Sequence, residues 1–145
     1  MLEKMKELIR SQDICVLATA CDNKPHCSLM AYMTDDHCRE IYMVTHRNTA
    51  KFRNATKNPS VSLLIDTRLE EEGESRQRAR ALTVTGLFER IEIPERREAI
   101  RARLLERHAH LRDFAAHPEA EVVAVKILAL QLLDGITDSY YETVA

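Results

Sequence analysis

Glycine is scarce in this sequence. The 145 residues hold three, Gly73, Gly86 and Gly135, and no two stand together. Close backbone approach to a phosphate chain needs clustered glycines, so the Walker loop and the G-x-G-x-x-G dinucleotide turn are both excluded. A phosphorylated ligand would have to be held by side chains and a helix N-terminus. Tryptophan is absent altogether. The four cysteines, Cys15, Cys21, Cys27 and Cys38, crowd into the first part of the chain without a C-x-x-C pair. That spacing does not support a zinc ribbon or a thioredoxin-type redox centre, and no metal site is expected. The cysteines read as free thiols serving as small apolar residues on strands. A G-x-S-x-G nucleophile turn and an H-E-x-x-H helix are missing too. No apolar run approaches the ~18–20 residues of a membrane-spanning helix. Residues 1–7 are charged, without the apolar segment of a secretion leader, so a cytoplasmic protein is expected. With 21 basic and 23 acidic residues the net charge is −2, which offers no general field for nucleic acid.

What is present is a series of β-type runs with a few helical stretches between them. The length fits one domain, residues 1–145, with enough chain to bury a core without disulfides. Leu2, Met5, Leu8 and Ile9 recur at helical spacing and predict a helix over 2–11. Ile14 to Ala20 predicts a strand that is apolar on both faces and so buried on both. Cys21 to Pro25 reads as a turn. Strands follow at His26–Met33 and Glu40–Thr45, and the three runs imply an antiparallel meander. Asn48 or Thr49 caps a helix through Ala55, and Asn58-Pro59 stops it. A fourth strand covers Ser60–Asp66. Thr67 to Arg80 is a charged loop. Ala81 to Ile93 predicts a long strand with a bulge at Gly86. Pro94 opens a helix that runs to Pro118 and turns Ile100, Leu104, His108, Leu111 and Ala115 inward. Glu121 to Leu133 is the sixth strand, and Asp134 to Ala145 reads as a polar tail.

The segment from Tyr42 to Lys51 carries the clearest chemistry. A strand there delivers the chain into a helix N-terminus, whose unpaired N–H groups and positive dipole end favour an anion. Thr45 and Thr49 add hydroxyls, and His46, Arg47 and Lys51 add cations, so a phosphate can be held without a glycine loop. The stretch Pro25-His26-Cys27-Ser28-Leu29-Met30 alternates polar and apolar residues, so one face could meet a planar ligand through backbone groups and Ser28.

The stretches Val16-Leu17-Ala18-Thr19, Asp22-Asn23-Lys24-Pro25-His26, Ile41-Tyr42-Met43-Val44-Thr45, Thr49-Ala50-Lys51-Phe52-Arg53-Asn54 and Asn58-Pro59-Ser60-Val61-Ser62-Leu63-Leu64-Ile65 follow in order. This succession resembles the pyridoxamine 5′-phosphate oxidase-like family of FMN-binding split barrels. The resemblance implies a mainly β chain, a six-stranded antiparallel split β-barrel, that pairs into a homodimer with FMN at the interface. It places His26, Cys27, Ser28 and Leu29 along the isoalloxazine ring. Met43, Val44 and Thr45 would line the ring and ribityl chain. Thr49, Ala50 and Lys51 would hold the phosphate, helped by Arg47. The activity implied is that of an FMN-dependent oxidoreductase acting on an unidentified small molecule or electron donor, with no catalytic residue assigned. Asn23 stands where many relatives carry Gly, and the tail lacks the Trp- and Arg-rich segment of true pyridoxamine phosphate oxidases, so that reaction is not implied. Other branches of the superfamily bind haem or F420, and a non-enzymatic flavin-binding module is a further alternative. A haem site would draw its axial ligand from His108, His110 or His117.

Overall fold

A computed structural model of the protein describes residues 1–144. Helix α1 (Leu2–Ser11) forms where the helical spacing predicts it and turns Met5, Leu8 and Ile9 into the core. Strands β1 (Ile14–Cys21) and β2 (Lys24–Ala31) make a hairpin in which Cys21 faces Lys24. Its two-residue turn needs positive φ at both central positions. Asp22 and Asn23 supply it, at 53° and 60°, so the absence of glycine here is tolerated by short Asx side chains.

The predicted second strand does not run through to Met33. It stops at Tyr32 and resumes as β3 (Met33–Thr34), which pairs with β4 (Glu40–His46). Three bonds hold the break. The Tyr32 N–H donates to the Asp13 carbonyl at 2.9 Å, its hydroxyl donates to the Ile9 carbonyl at 2.7 Å, and His108 Nε2 meets its carbonyl at 2.8 Å. A carbonyl only accepts, so Nε2 carries the proton.

The remaining elements are α2 (Ala50–Lys57), β5 (Ser60–Asp66), β6 (Arg80–Arg90), α3 (Pro94–Arg107), α4 (Arg112–Ala116), β7 (Ala120–Asp134) and β8 (Asp138–Thr143). The strand order is β2-β1-β5-β6-β7-β4-β3, antiparallel throughout, with β8 added on β7. The expected meander is therefore corrected. β2 and β4 are not paired, and the sheet curls until its two ends meet at the β2–β3 break. The expected six barrel strands are present, counting β2 and β3 as one broken strand. The polar tail is corrected as well, because residues 138–143 fold back as β8. Ala145 lies outside the described residues. The helix from Pro94 breaks at His108, whose ring turns inward to Tyr32.

The barrel interior is filled by apolar side chains such as Leu17, Met43, Leu63, Ile65, Leu82 and Leu130, under the α1 residues. A second cluster, including Tyr42, Ile91, Ile100, Leu104 and Val122, seats α3 on the outside of β3, β4 and β7. β1 is buried on one face only. Cys15, Leu17 and Thr19 point inward, while Ile14 is exposed and Val16 and Ala18 are half-buried. Burial pushes the Cys15 thiol up to about 12, which leaves it inert. Among the described residues, no helix is long and apolar enough to cross a membrane.

The bulge expected at Gly86 falls opposite it. Thr85 faces Ala129 and Gly86 faces Ile127, so Leu128 on β7 is the extra residue. Here β7 exchanges β4 for β8 as its neighbour. A Cβ on residue 86 would lie 2.5 Å from Val125 Cγ1 and 2.6 Å from the Lys126 carbonyl oxygen. Gly86→Ala is therefore expected to lower stability by about 1–3 kcal/mol through overpacking, read as an earlier urea midpoint. Tyr32→Phe leaves the buried Ile9 carbonyl without its donor and is expected to lose about 1–3 kcal/mol. An unchanged midpoint in that variant would show that the hydroxyl does not hold the break.

Candidate functional site

Of the residues in the two sequence-predicted stretches, Pro25, His26 and Arg47 line one cleft, and the others do not line it. β3 pairs with β4 only at Ile41 and Tyr42. Beyond that point, the edge of β4 away from β7 carries no strand partner among the described residues, and neither does the edge of β2 away from β1. β2 and β4 diverge there, and α2 begins four residues past the end of β4. A cleft of about 620 Å³ lies between the β1–β2 hairpin and α2, and both His26 and Arg47 line it.

Helix α2 is set by its cap. The Thr49 hydroxyl accepts from the Phe52 N–H at 3.3 Å and donates to the His46 carbonyl at 2.8 Å. This ties the helix start to the last residue of β4. Phe52 and Ala55 turn inward, and Asn54 and Asn58 bond to Thr19 and to the Ala20 carbonyl of β1. The N–H groups of Ala50 and Lys51 lie in the first helical turn, which has no intrahelical acceptors to offer them.

The cations of this segment have separate tasks. Arg47 is committed. It reaches Glu121 at 3.0 Å and Glu119 at 3.4 Å, and it donates to the Pro118 carbonyl at 2.8 Å. Arg90 completes the bridge to the buried Glu121 at 2.7 Å while lying over the Phe52 ring. His46 is also held. Its ring stacks on Phe114 at 3.8 Å and on His117 at 4.7 Å, and its Nε2 meets the Phe114 carbonyl at 2.9 Å. Lys51 is different. It is half-buried, has no carboxylate within 4 Å among the described residues, and burial pulls its ammonium below the usual lysine range. A desolvated cation without a carboxylate suits an anionic ligand.

The other predicted residues divide by strand periodicity. His26 and Ser28 share the face of β2 that leads inward to Met30, with Ser28 Oγ 3.4 Å from His26 Nδ1. Cys27 and Leu29 point to the opposite face, where Leu29 is 73% exposed. Register sets Leu29 beside Val16 and Leu64, making an apolar outer patch across β2, β1 and β5. Met43, Val44 and Thr45 are buried, Met43 in the barrel core. The Thr45 hydroxyl has no hydrogen-bond partner among the described residues. Of the three histidines considered for haem, His108 is buried on Tyr32, and His117 accepts from the Glu119 N–H at 3.0 Å. His110 is exposed, with no hydrogen bond on its ring among the described residues. No metal-holding cluster of His, Cys, Asp and Glu occurs among the described residues. Sequence reasoning missed the cleft cations Lys24, Arg53 and Lys57. The 53/57 spacing was the available signal, since residues four apart share a helix face.

The sequence profile described as pyridoxamine 5′-phosphate oxidase matches residues 1–134. The chain belongs to this family. Solved structures agree on the fold. A haem-binding protein from Mycobacterium smegmatis has a TM-score of 0.82 at 19% identity, covering 96% of this chain and 57% of that one. The chain thus spans little more than half of that protein. An FAD-binding protein from Mesorhizobium loti has a TM-score of 0.75 at 17% identity, covering 91% and 93%. The haem storage protein HutZ from Vibrio cholerae has a TM-score of 0.72 at 16% identity, covering 95% and 92%. No curated protein sequence matches. At these identities the likeness is one of fold, shared by flavin and haem proteins alike.

Because Lys51 is already depressed by burial, anion binding that depends on its charge falls off at lower pH than an ordinary lysine would dictate. Binding of inorganic phosphate, as the simplest such anion, is expected to weaken as alkaline pH deprotonates Lys51. Lys51→Arg removes that weakening, because a guanidinium keeps its proton. Identical pH profiles for the two proteins would take Lys51 out of the site.

Proposed function

We propose that the protein binds FMN across the split and serves as an FMN-dependent oxidoreductase. The observation that carries this reading is Lys51, a half-buried ammonium with no carboxylate within 4 Å among the described residues, in the turn whose free N–H groups open α2. A phosphate dianion would meet a charge-assisted donor, the Thr49 region and the positive dipole end together. Support for the fit comes from the half-buried Lys51, which has no carboxylate within 4 Å among the described residues, and from the Thr45 hydroxyl, which has no partner among them; both lie along the β4–α2 segment. When bound, the flavin would supply hydride or electron transfer, and the protein's part is to position it and keep the pocket dry. His26 and Ser28 would lie on the cleft face of β2. Arg47 and His46 would brace the helix start through their bonds to the α4–β7 segment, rather than touch the phosphate.

The functional unit in this reading is a homodimer. Ile14, Leu29 and Leu69 are 45%, 73% and 85% exposed, and they rim the apolar patch of β1, β2 and β5. A second copy covering this patch would bring Cys27 and Leu29 into the composite site and remove the patch from water. The single domain of the proposal is the whole barrel. Its substrate is a small molecule or electron donor, without nucleic acid or membrane, in the cytoplasm.

Purified protein mixed with FMN and desalted is expected to keep the two-banded yellow flavin spectrum. A sharp Soret band after haem addition, with no flavin retained, would replace this reading with haem binding and direct attention to His110. A protein that retained neither would leave F420 or a cofactor-free module. Lys51→Ala is expected to raise the FMN dissociation constant about tenfold or more, the worth of one charged hydrogen bond. An unchanged constant would contradict the assigned phosphate site.

A further inference from the structure

The cleft between the β1–β2 hairpin and α2 holds more positive charge than a single phosphate at the helix start uses. Lys24 lies on the hairpin wall, Arg53 and Lys57 on the helix wall, and Asp22 is the carboxylate among the lining residues. None of the three cations has a carboxylate within 4 Å among the described residues. Arg53 and Lys57 stand four apart on one face of α2. Like charges at that spacing cost a helix a few tenths of a kcal/mol, and no acidic neighbour on α2 offsets them. The pair therefore does not stabilise its own helix.

Helical geometry separates this pair from Lys51. At about 100° per residue, Arg53 lies about 200° and Lys57 about 240° around the axis from Lys51. Consistently, Lys51 does not line the cleft, whereas Arg53 and Lys57 do. One phosphate cannot engage both sides of α2. The first turn and Lys51 offer one anion site, and the cleft offers another.

We propose that the cleft is a second phosphate subsite, which receives the pyrophosphate of a dinucleotide. Arg53, Lys57 and Lys24 grip the bridging phosphates from two walls. Arg47, held by Glu119 and Glu121, borders the cleft without spending its guanidinium on the ligand. The volume of about 620 Å³ is enough for more than a phosphate and falls in the range of small-molecule pockets. Two dinucleotides share this chemistry: a nicotinamide dinucleotide bound beside FMN, or a flavin dinucleotide bound in place of FMN, whose two joined phosphates would both sit in the cleft and leave the α2 start empty. This inference rests on the flavin reading in one respect, the assignment of the α2 start to the first phosphate.

The test compares FMN, FAD and NADPH binding to the full chain and to Arg53→Ala/Lys57→Ala. Flavins are followed by fluorescence, and NADPH by calorimetry on the protein with and without added FMN. The substituted residues are exposed, so the fold is expected to survive. Lys24→Ala, on the opposite wall, gives a second readout independent of α2. The double variant is expected to bind at least one dinucleotide about tenfold more weakly while holding FMN within twofold. Loss confined to FAD identifies the flavin dinucleotide, and loss confined to NADPH identifies the electron donor. An equal loss for FMN would overturn the proposal by making the cleft the FMN phosphate site itself. No change for either dinucleotide, or no dinucleotide binding at all, would overturn it by reducing the cations to a solvated face. Failure of the wild-type chain to bind FMN while still binding NADPH in the cleft would instead overturn the flavin reading alone.

Discussion

The break at Tyr32 is the constraint on which the rest of the structure depends. A strand running unbroken from Lys24 to Thr34 would hold β2 in line with β4. Instead the Tyr32 side chain is drawn to Ile9, its N–H to Asp13 and its carbonyl to His108. Helix α1, the α1–β1 connection and the end of α3 thus converge on one residue. With β2 tied to β1 and β3 tied to β4, the barrel opens above the break. The same three bonds complete the buried polar groups of this corner and mark the end of β2 at Ala31.

The division of charge follows from that geometry. The end of β4 must be held against the α4–β7 segment, and His46 and Arg47 do this by stacking and by pairing with Glu119 and Glu121. A carboxylate as buried as Glu121 needs such partners. On the neighbouring helix, Lys51, Arg53 and Lys57 have no carboxylate within 4 Å among the described residues. A reading from sequence alone gives Arg47 and Lys51 the same task, because a linear motif does not show which cation has already found its carboxylate.

Much of the fold is legible in the residue pattern. The alternation in Ser60–Asp66, the helix start at Pro94 and the Asx turn at Asp22-Asn23 each report a local rule, and each local rule held. The pairing of β4 is not legible, because its partners β3 and β7 depend on a break set by contacts from residues 9, 13 and 108. The tail misleads for a related reason. Tyr140 and Tyr141 fit a strand, but the pairing to residues 129–134 depends on β7 outrunning β4 and bulging at Leu128. The entry of β4 into a helix capped at Thr49 is readable because capping chemistry is local. The cleft face of α2 was missed because its other wall comes from the hairpin.

The fold is shared by flavin-binding and haem-binding proteins, and the proposed flavin reading rests on the environment of Lys51. A crystal structure of the protein grown with FMN tests this most directly. The account predicts phosphate oxygens within about 3 Å of Lys51 Nζ and of the first N–H groups of α2, with the ring across the split beside β2. A flavin phosphate seated on Arg53 and Lys57, with Lys51 unengaged, would contradict it.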